Sequence, residues 1–121
     1  IFRLPALFNK HIKKNIVYDL LNNNNVDQIN VNSAYQWFNL DKLNYYIEFF
    51  TRHYKNDTVF NLFPAPLETS RVLELFPYKE YTNGNRIEYN YKTKYTNTDY
   101  LYSKDVSFNQ LENFINETRS N

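Results

Sequence analysis

The sequence has no cysteine, no methionine and a single glycine among its 121 residues. Each absence removes a class of chemistry. Without cysteine there is no disulfide, no thiolate zinc site and no cysteine nucleophile, and the composition leans toward a reducing compartment or a virion. One glycine, Gly84, excludes the P-loop, the G-x-G-x-x-G dinucleotide fingerprint and the G-x-S-x-G nucleophile elbow, because each needs several positions free of a Cβ. Histidine is nearly as scarce. His11 and His53 stand far apart in no metal-ligand spacing, and His53 reads as a half-buried or solvated helix residue. No cofactor and no metal site is therefore expected. No apolar run approaches membrane-spanning length, and a net charge of +1 supplies no overall field for nucleic acid. Ile1 stands where a translational start would carry Met, so the chain reads as a processed product, a proteolytic fragment or an excised domain.

What the chain does have is rings and asparagine. Twelve Tyr and ten Phe, with few Ala and Val, mean a core built from aromatic rings and Leu/Ile. Twenty Asn beside many Lys, Tyr and Ile point to the codon bias of an AT-rich genome rather than to asparagine chemistry. The length fits a single domain spanning residues 1–121, large enough to bury a core without disulfides or metal.

Residues 78–106 carry the clearest pattern. Asn83-Gly84 between two strand-like runs is a strong hairpin signal, since a type I′ turn needs φ > 0 at both central residues. After it, Ile87, Tyr89, Tyr91, Thr93 and Tyr95 alternate with Arg86, Glu88, Asn90, Lys92 and Lys94, which predicts a strand with an aromatic core face and a charged outer face. Thr96 to Asp99 then reads as a turn and Tyr100, Tyr102 and Val106 as a third strand, giving an antiparallel meander.

Helices are expected on either side. Leu4, Phe8, Ile12, Ile16 and Leu20 recur every four residues and predict a helix from about Pro5 to Leu21. Val26 to Val31 reads as a short strand, and Ser33 as the cap of a helical turn holding Tyr35, Trp37 and Phe38. Asn39 or Asp41 would cap a helix whose buried face is Leu43, Tyr46, Ile47, Phe50 and Tyr54. Thr58 to Phe63 reads as a strand, and Pro66 opens a short helix bounded by Pro77. Ser107 and Gln110 make a capping box, stapled by Val106 and Leu111, for a last helix to about Thr118. The predicted class is α+β, with helices packed on one face of a small antiparallel sheet and a C-terminal helix. In element order alone, the final helix, three strands and helix resembles double-stranded RNA-binding domains, and the helix-strand-helix-helix order followed by strands resembles winged helices. No motif accompanies either, so no residue role follows.

Function follows by elimination. Thirteen carboxylates guarantee accidental pairs such as Asp99 with Asp105 or Glu68 with Glu74, whose expected roles are solvation and helix ends. No catalytic constellation survives, and the leading expectation is a non-enzymatic interaction module that binds another protein or joins an assembly. Tyr35, Trp37 and Tyr81 are the candidate contact residues, because interface energy concentrates in Tyr, Trp and Arg. The alternative is a nucleic-acid-binding domain using Lys79, Arg86, Lys92 and Lys94 on the polar strand face, with Glu88 weakening the field. A third reading is a small metal-independent RNase working through Arg86, Tyr91 and Lys92. Lys10, Lys13 and Lys14 are as easily a solvated face as a phosphate clamp.

Overall fold

The structure, a computed structural model, describes residues 1–77 and 81–120. Its strands are β1 (Phe2–Arg3), β2 (Ala6–Phe8), β3 (Ser33–Tyr35), β4 (Trp37–Asn39), β5 (Phe60–Asn61), β6 (Leu67–Glu68) and β7 (Ile87–Glu88). The helices are α1 (Asn15–Asn22), α2 (Leu43–His53), α3 (Thr69–Leu73) and α4 (Lys104–Ser120), with single 3₁₀ turns at Val26–Gln28 and Leu40–Lys42. The class is α+β. Its sheets, however, are small and built at long range: β1 runs parallel to β5, β2 parallel to β4, and β3 lies between antiparallel β6 and parallel β7.

The β2–β4 ribbon is the wall on which the molecule is assembled. Successive side chains of a strand point to opposite faces, and here Phe8 and Trp37 enter one core while Phe38, with Leu7 beside it, enters another. The first core joins Phe8 and Trp37 to Val17 and Leu20 of α1, Val72 of α3 and Leu111 of α4. The second is a ring cluster in which Phe50 of α2 meets Phe60 at 5.5 Å and Tyr95 at 5.0 Å. Parallel strands are ordinarily covered on both faces, and this ribbon obeys that rule. Each fully buried Phe or Leu of these cores contributes roughly 1.5–3 kcal/mol.

Several sequence expectations give way. The N-terminal stripe is not one helix: Leu4 and Phe8 lie in extended chain and the helix starts only at Asn15, because Ala6–Phe8 takes its backbone bonds from β4. Val26–Gln28 is a 3₁₀ turn, and among the described residues the ladder contact near the expected strand is an isolated bridge from Asn30 to Thr82. Tyr35, Trp37 and Phe38 lie in strands rather than in a helical turn, and the Ser33 hydroxyl donates to the Asn30 carbonyl at 2.7 Å and lies 2.6 Å from Thr69 Oγ1. Asn39 does cap, through Oδ1 accepting from Asp41 N at 2.9 Å, but it caps the 3₁₀ turn that leads into α2. The strand expected over residues 58–63 forms at Phe60–Asn61, and α3 starts at Thr69, after β6 has used Leu67 and Glu68.

The antiparallel meander is absent from the described residues. Ile87–Glu88 pairs in parallel with β3, residues 89–93 carry no regular secondary structure and bends begin at Lys94, and the third strand is replaced by turns and by the start of α4. With it go the resemblances to double-stranded RNA-binding and winged-helix domains, which rested on that order of strands. Tyr78, Lys79 and Glu80, the first arm of the expected hairpin, lie outside the described residues. Gly84 has no positive φ. Its lack of a side chain serves close approach instead: a Cβ there would sit 2.7 Å from Asn30 Nδ2, while Gly84 N donates to Asn30 Oδ1 at 2.9 Å. The capping box is displaced too. Helix α4 begins a turn earlier, where Ser107 N donates to the Ser103 carbonyl, so Ser107 is a fully buried mid-helix residue.

Candidate functional site

The aromatic face of residues 87–95 was expected to be core. Only its far end is: Thr93 is buried and Tyr95 half-buried, while Ile87, Tyr89 and Tyr91 are 44%, 47% and 58% exposed. The rings are nevertheless held. Tyr89 stacks on Tyr35 at 5.3 Å and 20°, and Tyr91 tilts against Phe63 at 5.2 Å. These two ring pairs, with Leu4, Pro5, Ala6 and Gln36, enclose a groove of about 470 Å³. That volume lies within the roughly 300–1,000 Å³ typical of ligand sites.

Gln36 fixes the wall of the groove. It is 1% exposed and sits where the chain passes from β3 to β4. Its Oε1 accepts from Tyr91 N at 2.9 Å and its Nε2 donates to the Tyr91 carbonyl at 2.6 Å and to the Pro64 carbonyl at 2.9 Å. A side-chain amide carries the same donor and acceptor as a peptide group, so Gln36 substitutes for the strand neighbour that Tyr91 lacks. Farther back, Tyr89 N donates to the Ala34 carbonyl and Ile87 N to the Asn32 carbonyl. The segment thus hangs its amides inward at residues 87, 89 and 91, and the rings of Tyr89 and Tyr91 follow the same register. No carboxylate, amine, guanidinium or imidazole lines the groove.

The sequence-derived contact residues are placed unequally. Tyr35 lines the groove. Trp37 is 1% exposed and meets Tyr35 edge-on at 6.0 Å, so it supports the groove from within the core and offers no ring to a partner. Tyr81 packs against the first core, its hydroxyl buried and its pKa raised by that burial. Phe63, Gln36 and the Leu4–Ala6 segment were missed, and no signal within their own stretches marks them, since they meet Tyr89 and Tyr91 only through folding.

The polar strand face is neutralised by its neighbours. Arg86 binds Glu68 through two bonds, Nη1 to Oε2 at 2.5 Å and Nη2 to Oε1 at 3.0 Å, and reaches Glu88 at 3.0 Å. The guanidinium holds the Glu68 carboxyl below its ordinary range, and both carboxylates push the Arg86 pKa up. Lys92 lies 3.9 Å from Asp99, and Lys94 3.5 Å from Asp57 with its ammonium over the Tyr95 ring. Lys79 lies outside the described residues. Arg86, Tyr91 and Lys92 are turned to three different neighbours, Glu68, Phe63 and Asp99, rather than to a shared reaction centre.

His53 is exposed, stacked on Phe49 at 4.3 Å with Nδ1 2.8 Å from the Phe49 carbonyl. The concavity beside it is lined by Tyr45, Glu48, Phe49 and Arg52, of which Glu48 and Arg52 are paired with each other at 2.9 Å. Asp105 pairs with Arg71 across α4 and α3 at 2.7 Å. Among the described residues no group of three His, Cys, Asp or Glu side chains is placed to hold a metal ion, and no helix is long and apolar enough to cross a membrane. No family model, no curated protein and no solved structure matches this chain.

Proposed function

We propose that the protein is a non-enzymatic interaction module that takes an extended, uncharged, apolar segment of another protein into the Tyr35/Phe63/Tyr89/Tyr91 groove. The observation that supports this reading is a ring-walled groove with no ionisable group other than tyrosine, held by backbone and side-chain amides. An uncharged lining offers no compensation for a buried charge, which selects against charged ligands. Tyrosine provides large contact area at low conformational cost, and its rings are the usual walls for extended proline-rich or aliphatic segments. Saturation of the Gln36 amide by Tyr91 and Pro64 leaves recognition to the rings and their hydroxyls.

The test uses the single tryptophan. Trp37 touches Tyr35, so occupancy of the groove is expected to change its emission. Titration with a neutral proline-rich decapeptide and a neutral aliphatic one should give saturable binding, and polylysine or polyglutamate peptides of the same length should not. Tyr89→Ala, at an exposed position, should weaken binding by about tenfold. Failure of both neutral peptides to bind, or identical affinity for Tyr89→Ala, sinks the proposal.

A further inference from the structure

A second concave surface has the opposite character. Residues 1–18 contain four of the fourteen Lys and Arg residues and none of the thirteen carboxylates, Asp19 being the first. The fold concentrates this imbalance, because exposed Lys10 and Lys13 rim a pocket of about 250 Å³ whose apolar lining includes Leu7, Ile12, Leu21 and Phe114. No carboxylate lines it. Neither lysine lies within ion-pair distance of a described carboxylate, unlike Arg86, Lys92 and Lys94. Asp41 touches this loop through Asn9, whose Nδ2 donates to it at 3.3 Å.

The lysines are carried on a braced loop. Asn9 Oδ1 accepts from His11 N at 2.9 Å and Ile12 N at 3.1 Å, and Asn15 Nδ2 donates to the Leu7 carbonyl at 2.8 Å. A loop held at both ends presents its cations with little ordering cost on binding. Two ammonium groups with no described carboxylate in ion-pair reach, beside a pocket whose lining joins Leu7, Ile12, Leu21 and Phe114 to Asn9, Asn15, Asn22 and Thr118, complement one kind of ligand, an anionic head joined to an apolar tail. The small volume, below the roughly 300 Å³ where drug-sized ligands begin, suits one unbranched alkyl chain rather than a ring system. We propose that this pocket binds an anionic amphiphile, its carboxylate or phosphate head between Lys10 and Lys13 and its alkyl chain against Leu21 and Phe114. This site is independent of the aromatic groove.

Calorimetric titration of the full chain with decanoate, below its micellar concentration, tests the proposal against decanol, decyltrimethylammonium and acetate at matched ionic strength. Decanoate should bind about tenfold more tightly than either other decyl compound, and acetate should not compete. Lys10→Gln combined with Lys13→Gln should bring decanoate down to the level of decanol while leaving the circular dichroism spectrum unchanged, and amide shifts should move at Lys13 and Leu21. Vesicles of phosphatidylglycerol distinguish a free acid from a lipid. Binding to both decanoate and vesicles supports the pocket with a membrane lipid as source, and binding to decanoate alone supports a free acid. Vesicle binding without decanoate binding overturns the pocket in favour of a purely electrostatic surface. Equal affinity for decanol, competition by acetate, no binding at all, or shifts confined to Tyr35 and Tyr89 would each overturn it as well.

Discussion

A single serine shows how much the position of a helix end matters. Ser107 reads as the N-cap of the last helix, and in that role its replacement by Ala would cost about 1 kcal/mol. In the fold it lies one turn inside α4, fully buried, with an Oγ that no described residue bonds. A buried hydroxyl without a partner costs stability, and Ala is the better helix former. Ser107→Ala should therefore stabilise the protein by about 0.5–1 kcal/mol, measured as a rise in the urea midpoint with unchanged slope. A loss of about 1 kcal/mol would return the helix start to Ser107. Ser103, whose carbonyl receives Ser107 N, occupies the end of the helix instead.

Between elements, polar contacts tie the ring cluster under α2 to the chain beyond the groove, and the shortest comes from Tyr95. Tyr95 packs on Phe50, Tyr54 and Phe60, and its hydroxyl donates to Asp57 Oδ2 at 2.7 Å. That bond, with Lys94 nearby, lowers the Asp57 pKa below its ordinary 3.8, while burial and the same carboxylate push Tyr95 up to about 12. The signs of the two effects differ. As pH falls, the unfolded chain protonates Asp57 before the folded one does, so its contribution is present above the ordinary value and is lost below it. As pH rises past the ordinary tyrosine value of 10.0, the unfolded chain ionises first, and stability falls as pH approaches 12. Glu68 adds to the acid limb, and Tyr46 and Tyr102 to the alkaline one. Tyr95→Phe should flatten part of both limbs in melting temperatures recorded from pH 2 to 6 and from pH 9 to 12. Unchanged limbs would show that the Tyr95–Asp57 bond does not form in solution.

Over the whole molecule, a near-zero net charge is distributed unevenly. The cations of the 86–94 segment are each matched by a carboxylate, while those of the first eighteen residues form no ion pair with a described carboxylate. Affinity for a polyanion comes from the counterions that uncompensated cations release. Lys92→Gln with Lys94→Gln is therefore expected to leave any low-salt oligonucleotide shift nearly unchanged. A steep loss of binding in that double variant would restore the strand face as a nucleic-acid surface.

How far each feature could be read from the chain depends on the distance over which it is encoded. Helix α2 was legible, since an amphipathic period of 3.6 is a property of the segment itself, and Phe50 is buried as that period requires. The excluded chemistries were legible for a simpler reason: a missing cysteine or glycine stays missing in any fold. The period-two pattern after Gly84 announced two faces, but which face would be covered depended on what packed against it. Here the partners are Tyr35, Gln36 and Phe63, which leave Tyr89 and Tyr91 exposed as groove walls. Apart from Phe60–Asn61 and Ile87–Glu88, which fall inside expected strands, the strands escaped for a related reason. Segments of two or three residues are too short to show alternation, and β1 with β5 or β3 with β7 pair residues more than fifty positions apart. Local periodicity marked α2 and composition fixed the inventory of reactive groups; the groove, the lysine-rimmed pocket and the pairing of Arg86 with Glu68 exist only because tertiary contacts bring distant segments together.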